Sequence, residues 1–213
     1  NIEEKNKIIN KLIRENRQQE IEGELKKIQP KVSDLSLAFL DGDDYNNYLY
    51  DIEIVQKFAS INRMVIAEEI FKGMGWELNF TIDNCFETKH NYIDTNRGIL
   101  RKGAVNAEAG KILIIPLNMK DGSAICIGKG NPDWNYSAPH GAGRLMSRNK
   151  AKENIKINDF KKTMKDVFSN SVVPSTLDEA PMAYKGINSI LPIIKPTVSI
   201  VDIIKPIYNF KAH

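Results

Sequence analysis

The stretch KILIIPLNMKDGSAICI, residues 111–127, decides the fold class of this chain. Two short apolar runs, Lys111 to Ile115 and Ser123 to Ile127, flank the turn-forming residues Lys120-Asp121-Gly122. Runs rich in β-branched residues and separated by Asp and Gly are typical of strands joined by a turn. We therefore predict two strands here, as part of an antiparallel sheet in the central block of the sequence.

Further strands are predicted on both sides of this pair. Short β-like runs occur at Glu77 to Ile82, Asn91 to Ile93 and Ile99 to Arg101, the last two separated by the turn Thr95-Asn96-Arg97-Gly98. The segment Pro196 to Phe210 alternates prolines with Val and Ile. Proline lacks the N–H that a central strand needs, so this segment is predicted to be an edge strand.

Helical spacing of apolar residues predicts four helices. They cover residues 2–28, Tyr45 to about Lys72, Leu145 to Glu153 and Asn158 to Val167. Pro30 is expected to end the first helix, Gly73 and Gly75 the second, and Asn158 to cap the last. The fold class is therefore α+β, with N-terminal helices followed by a mainly antiparallel sheet and short helices.

The length and composition of the chain restrict its domain organisation and its cellular compartment. A chain of 213 residues is predicted to form one domain over residues 1–213, with a helical region at 1–75 and a sheet-rich region at 76–213 that holds the functional site. The net charge of +3 is too small to require a polyanionic partner. Cys85 and Cys126 have no zinc-knuckle or disulfide-framework spacing. With no apolar run of about eighteen residues, we expect a soluble, cytoplasmic protein without a membrane partner.

The segment NYSAPHGAGR, residues 135–144, sets an imidazole and a guanidinium on a glycine-rich backbone. Glycine N–H groups can surround an anion, especially if a helix starts at Leu145, and Arg144 can bind phosphate with two donors. A neutral His140 could attack phosphorus as a covalent nucleophile. The alternative is a hydrogen-bonded histidine without chemistry, and these residues alone favour that alternative.

Other candidate residues are less specific. His90 begins a predicted strand and is a reasonable metal ligand, but the chain offers too few partner ligands to build a metal site alone. Arg101 and Lys102 either hold RNA phosphate or form a solvated strand end, which is the commoner outcome. Tyr184 either stacks on a base or packs in the core.

Taken together, several motifs resemble the RtcB-type RNA-splicing ligases in order and spacing over nearly the whole chain. They are Phe58-Ala59-Ser60-Ile61-Asn62-Arg63, His90-Asn91-Tyr92, Arg101-Lys102-Gly103-Ala104, Ile115-Pro116, His140-Gly141-Ala142-Gly143-Arg144 with Met146-Ser147-Arg148, Asp178-Glu179-Ala180-Pro181 with Ala183-Tyr184-Lys185, and Lys211.

The resemblance implies a GTP- and manganese-dependent ligase that joins RNA 3′-phosphate or 2′,3′-cyclic phosphate ends to 5′-hydroxyl ends. It implies that His140 carries GMP as a phosphoramidate and that His90 is a manganese ligand. The implied nucleotide contacts are Asn118, Ser123, His140, Ala142, Gly143, Tyr184 and Lys211. From their own chemistry, Arg144, Arg101 and Lys102 are the candidate contacts to RNA or phosphate. The implied partners are RNA, including tRNA halves, and an archease-like activating protein.

Two departures from the family pattern qualify these expectations. The usual Pro-Gly-Ser-Met-Gly loop is Pro116-Leu117-Asn118-Met119-Lys120 in this chain, so Asn118 replaces a nucleotide-contacting Ser. The N-terminal half of the family, with most metal ligands, has no counterpart, so we expect the C-terminal part of a longer ligase that is inactive alone. The alternatives are a truncated or degenerate homologue that binds RNA or a partner without chemistry, and a nucleotidyl transferase that does not act on RNA.

Overall fold

A computed structural model of the protein describes residues 2–28, 38–76 and 85–211. The chain divides into two units, residues 1–48 and 49–213. The strand predicted at Glu77 to Ile82 and the helix end predicted at Pro30 lie outside the described residues. That residues 1–213 form a single domain stays a prediction. Among the described residues, no helix is both long and apolar enough to span a membrane.

The first unit contains short helices rather than the single helix predicted over residues 2–28. Helix α1 is Ile2–Arg14, a 3-10 turn follows at Gln18–Glu20, and helix α2 is Ile21–Lys26. Asn16 adopts a left-handed backbone conformation with φ of 56°, which an α-helix cannot include. The prediction of one continuous helix is therefore wrong, because apolar periodicity does not report a single residue with positive φ.

Helix α3, Gly42–Gly73, confirms the second predicted helix. Gly75 follows it with a φ of 69°, the left-handed conformation expected just beyond a helix end. Gln56 Oε1 accepts a hydrogen bond from the Ile93 N–H at 3.1 Å. Ser60 and Arg63 both donate to Glu87, at 2.9 and 2.7 Å. These bonds hold one face of α3 against the segment that contains His90.

A three-stranded antiparallel sheet forms the main core. It contains β4 (Ile112–Asn118), β5 (Gly122–Gly128) and β7 (Val198–Ile204), in the order β4-β5-β7. The hairpin predicted from residues 111–127 and the edge strand predicted within residues 196–210 are confirmed. Alternate side chains of β4 are buried against helix α6 (Ile187–Ile194), which the sequence did not predict.

Two smaller antiparallel pairs lie beside this sheet. Strands β1 (Tyr92–Asp94) and β2 (Ile99–Arg101) form the hairpin predicted around residues 95–98. Strand β3 (Ala104–Asn106) pairs with β6 (Ser137–Pro139), and neither strand was predicted. The β3-β6 pair matters for function because it positions the glycine-rich segment that follows β6.

Two short helices follow the glycine-rich segment, but they begin at different residues from those predicted. Helix α4 is Arg148–Asn154, with the Ser147 hydroxyl accepting from the Lys150 N–H, so no helix starts at Leu145. Helix α5 is Ile157–Thr163 and Lys156 occupies the N-cap position, so Asn158 is not the cap. Phe160 of α5 is buried in a second core. The α+β class with mainly antiparallel sheets is confirmed.

Candidate active site

A cavity of about 730 Å³ lies where the glycine-rich segment, the β4-β5 hairpin and the segment after β7 meet. The predicted metal ligand His90, the predicted nucleophile His140 and the predicted phosphate ligand Arg144 all line it. The remaining implied nucleotide contacts also line it: Asn118, Ser123, Ala142, Gly143, Tyr184 and Lys211. The structure thus brings together residues that were selected by sequence motif alone.

Backbone hydrogen bonds hold the glycine-rich segment against two strands. The His140 N–H donates to the Gly103 carbonyl at 3.4 Å, and the Ala142 N–H donates to the Pro116 carbonyl at 3.0 Å. A Cβ on Gly141 would lie 3.2 Å from that same Pro116 oxygen, so a small residue is favoured there. Gly143 has a φ of 73°. Gly141 therefore lets the backbone lie close to the Pro116 carbonyl, and Gly143 provides a left-handed turn. Both are properties expected of glycine.

His140 and His90 face each other, with ring centroids 4.9 Å apart. A Cβ on Gly103 would lie 3.6 Å from Cδ2 and Nε2 of His140, so the His140 ring lies beside this glycine. Partial burial, and secondly the charge of His90, lower the pKa of His140. A lowered pKa keeps the imidazole neutral at neutral pH, which is the form that a nucleophile requires.

The described residues do not by themselves make a manganese site. Among residues 2–28, 38–76 and 85–211, no three His, Cys, Asp or Glu side chains lie close enough together to hold a metal ion. His90 offers one imidazole, whereas divalent metals such as manganese take several ligands.

All three guanidinium nitrogens of Arg144 donate hydrogen bonds to other groups of the protein. Nε donates to the Met146 carbonyl at 3.2 Å, Nη1 to the Tyr184 hydroxyl at 3.0 Å and Nη2 to the Asp178 carbonyl. These bonds fix the guanidinium at the cavity wall. Its contact with phosphate stays a prediction.

Tyr184 is a half-buried wall residue. Its ring packs against the main core, and its hydroxyl donates to Glu179 Oε2 at 2.9 Å. Burial, and then the hydrogen bond and charge of Glu179, raise the pKa of Tyr184 to about 12. Of the two alternatives that the sequence left open for Tyr184, packing in the core is observed, and stacking on a base stays a prediction. Glu179 was not predicted as a site residue, although the carboxylate pair before Pro181 was a visible signal.

Asn118 lies at the cavity wall but its side chain stabilises the β4-β5 turn. Oδ1 accepts from the Lys120 and Asp121 N–H groups at 3.0 and 2.9 Å, and Nδ2 donates to Asp121 Oδ2 at 2.8 Å. Such local bonds are characteristic of Asn in turns. The departure from the family's Ser therefore has a structural role, while its nucleotide contact stays a prediction.

Arg101 is buried, with only 1% of its surface exposed, and does not line the cavity. Nη1 donates to the Tyr92 hydroxyl at 3.0 Å and to Asp94 Oδ2 at 2.9 Å, and Nε donates to the Ser137 hydroxyl at 3.0 Å. The prediction of a solvated strand end is wrong for Arg101, because these partners enclose its charge. The enclosed guanidinium is not presented to RNA, so phosphate binding stays a prediction for the exposed Lys102.

Residues 6–212 match the family model described as tRNA-splicing ligase RtcB. The chain belongs to the RtcB family. The RNA-splicing ligase RtcB of Escherichia coli K12 is 34% identical over 170 residues, which are 72% of this chain and 41% of the relative. The tRNA-splicing ligases RtcB of Aeropyrum pernix and Nanoarchaeum equitans are 28% and 26% identical, over 76% and 78% of this chain. The chain therefore spans about two fifths of the length of these RtcB relatives.

Proposed function

We propose that this chain is the nucleotide-carrying part of an RNA ligase that joins RNA 3′-phosphate or 2′,3′-cyclic phosphate ends to 5′-hydroxyl ends at the expense of GTP. The observation that carries the proposal is the position of His140. Its ring lies on a cavity of about 730 Å³ whose wall contains every residue implied to contact the nucleotide. A cavity of this size is within the range of small-molecule sites.

In the proposed reaction, an imidazole nitrogen of neutral His140 attacks the α-phosphorus of GTP. The P–N bond forms as the P–O bond to pyrophosphate breaks, and the ring proton is released. An oxygen of the RNA 3′-phosphate then attacks the same phosphorus; the P–N bond breaks, the His140 ring takes up a proton and leaves as neutral imidazole, and an RNA–GMP anhydride is formed. The 5′-hydroxyl finally attacks the 3′-phosphorus, losing its proton and expelling GMP. A cyclic phosphate end would first be opened by water to a 3′-phosphate.

We also propose that manganese binds beside the nucleotide, with His90 as one ligand and the others supplied by polypeptide outside this chain. Manganese would supply charge neutralisation at the phosphates. The proposed partners are RNA, with tRNA halves as one substrate, and an archease-like activating protein, and the proposed compartment is the cytoplasm.

The experiment is mass spectrometry of the full-length protein that contains these residues, after incubation with GTP and manganese. A mass increase of one GMP is expected, and it should be lost in His140→Ala but retained in Lys102→Ala. An adduct that survives His140→Ala would assign the nucleophile to another residue. The 213-residue chain alone is expected to form no adduct.

A second candidate function is RNA or partner binding without chemistry. The observation that favours it is that, within residues 2–28, 38–76 and 85–211, no three His, Cys, Asp or Glu side chains are grouped to hold a metal ion. If the full-length protein forms no adduct under conditions in which the E. coli relative does, this second function replaces the first.

A further inference from the structure

Glu179 is a carboxylate at the cavity wall that the proposed function does not use. Its side chain is only 19% exposed. Oε2 accepts the Tyr184 hydroxyl at 2.9 Å and lies 3.3 Å from Lys211 Nζ. One oxygen atom thus holds two residues that arrive from different parts of the fold, Tyr184 before α6 and Lys211 after β7.

The other carboxylate oxygen, Oε1, faces two guanidinium groups. Arg144 Nη1 lies at 3.8 Å and Arg148 Nη2 at 3.7 Å. The Arg144 guanidinium carbon also lies 4.9 Å from the centroid of the Tyr184 ring. The Tyr184 ring is therefore contacted by Arg144 and anchored through its hydroxyl by Glu179. All of these residues line the same cavity.

Substitution of this carboxylate would act on two groups at once. Without its charge, the Lys211 ammonium loses an anchor, and the Tyr184 hydroxyl loses a strong acceptor. A purine stacked on a tyrosine presents its edge to neighbouring donors and acceptors. Guanine carries the acceptor O6 where adenine carries an amino donor, so an ammonium held in one place favours guanine.

We propose that Glu179 is a positioning residue that fixes the Tyr184 ring and the Lys211 ammonium in the arrangement that selects guanine over adenine nucleotides. The inference rests on the proposed function, because it assumes that the cavity binds a guanine nucleotide. It goes beyond that function by assigning base selectivity to a carboxylate that acts through its two neighbours.

The test is titration of the chain with GMP and with AMP by calorimetry, for the unaltered protein and for Glu179→Gln, Glu179→Asp and Glu153→Gln. Glu153 is an exposed carboxylate on α4 and serves as the matched control. Glu179→Gln is expected to weaken GMP binding about tenfold, the usual effect of losing a charge-assisted hydrogen bond, and to change AMP binding less than about twofold. Glu179→Asp should restore part of the selectivity, and Glu153→Gln should change nothing.

A second measurement tests directly whether Glu179 acts on the Tyr184 hydroxyl. With ¹³C-labelled tyrosine, the Tyr184 ring carbon that bears the hydroxyl should titrate well above pH 10, the ordinary value for tyrosine, in the unaltered chain. In Glu179→Gln its ionisation should begin at lower pH, since the hydrogen bond and charge of Glu179 contribute to the high pKa of Tyr184. Tyr184→Phe assigns the signal.

The outcomes separate this inference from the function on which it rests. Equal loss of GMP and AMP affinity in Glu179→Gln, or no loss of either, overturns the positioning role and leaves the nucleotide site in place. No binding of GMP to the unaltered chain overturns the inference, because the cavity of this chain then does not bind a guanine nucleotide, whereas the ligase function is decided separately by the GMP adduct of the full-length protein. If the Glu179→Gln chain fails to fold, Glu179→Asp is used in its place. The inference is then overturned if Glu179→Asp has the same GMP-over-AMP selectivity and the same Tyr184 ionisation as the unaltered chain.

Discussion

The imidazole rings of His90 and His140 lie 4.9 Å apart and are inclined at 39°. Both are linked to Gly103, His140 directly through its backbone and His90 through its neighbour Asn91. The Gly103 N–H donates to the side chain of Asn91, next to His90, at 2.7 Å, and the Gly103 carbonyl accepts from the His140 N–H. The implied metal ligand and the implied nucleophile therefore share one backbone anchor.

Replacement of His90 by Ala is expected to raise the pKa of His140 in metal-free buffer. Burial is the first cause of the lowered pKa of His140 and the charge of His90 is the second, so removing His90 removes the second cause. His140 should then become protonated at a higher pH. Titration of the histidine ring protons by NMR measures this, with His140→Ala to assign the signal and Lys89→Ala as control. A lower or unchanged midpoint would contradict it.

Glu87→Gln is expected to lower the free energy of unfolding at pH 7 by about 1–2 kcal/mol, a value reduced for solvent screening. Although burial opposes ionisation of Glu87, bonds from Lys89, Arg63 and Ser60 lower its pKa from 4.5 to about 2. A depressed carboxyl pKa stabilises the fold above the unfolded value, and that stability disappears as the pH falls from about 4.5 to about 2.

Urea unfolding at several pH values measures this effect, with Glu53→Gln, an exposed carboxylate on α3, as the control. The difference between Glu87→Gln and the unaltered chain should shrink towards zero near pH 2. A difference that stays constant across this range would show that the charge of Glu87 is not the cause.

Asn118→Ala is expected to destabilise the protein by about 1 kcal/mol because two turn N–H groups lose their acceptor. GMP affinity should change less than about twofold if the Asn118 side chain serves the turn. Thermal unfolding and calorimetry measure the two effects, with Lys120→Ala as the control in the same turn. A strong loss of GMP affinity with unchanged stability would assign Asn118 to the nucleotide instead.

Gly122→Ala is expected to cost more stability than Gly110→Ala, although the two glycines have nearly the same φ, 82° and 80°. A Cβ at position 110 meets no atom within 4 Å, so only backbone strain of about 1 kcal/mol is added. A Cβ at position 122 would overlap the Ile204 carbonyl of β7, so a total of about 2–4 kcal/mol is expected. Equal losses in unfolding experiments would refute the steric contribution.

The helices and strands that could be predicted are those whose own residues form a recognisable pattern along the sequence. The β4-β5 hairpin has long apolar strands and an Asp-Gly turn, and α3 has many turns of periodic residues. The β3-β6 pair has three residues in each strand and joins distant parts of the chain, so no local pattern predicts it. Helix α6 contains Pro192, which argues against a helix in sequence alone.

The residues of the candidate site likewise divide into those that local sequence motifs predict and those that depend on contacts in the folded chain. His140 with its glycines, and Tyr184 and Lys211 from motifs, were predicted and do line one cavity. Glu179 was missed because its importance depends on which side chains reach it. The burial of Arg101 was also missed, since it depends on Tyr92, Asp94 and Ser137 meeting around one guanidinium.

That buried guanidinium has a consequence for distinguishing active ligases from inactive descendants. Arg101 ties β1, which follows His90, to β6, which precedes His140. Loss of this link is therefore expected to change how far apart the two imidazoles lie. A gene could keep both histidines and still lose activity through substitutions at positions 92, 94, 101 or 137. Surveys that judge such genes by their histidines alone would count those descendants as working enzymes.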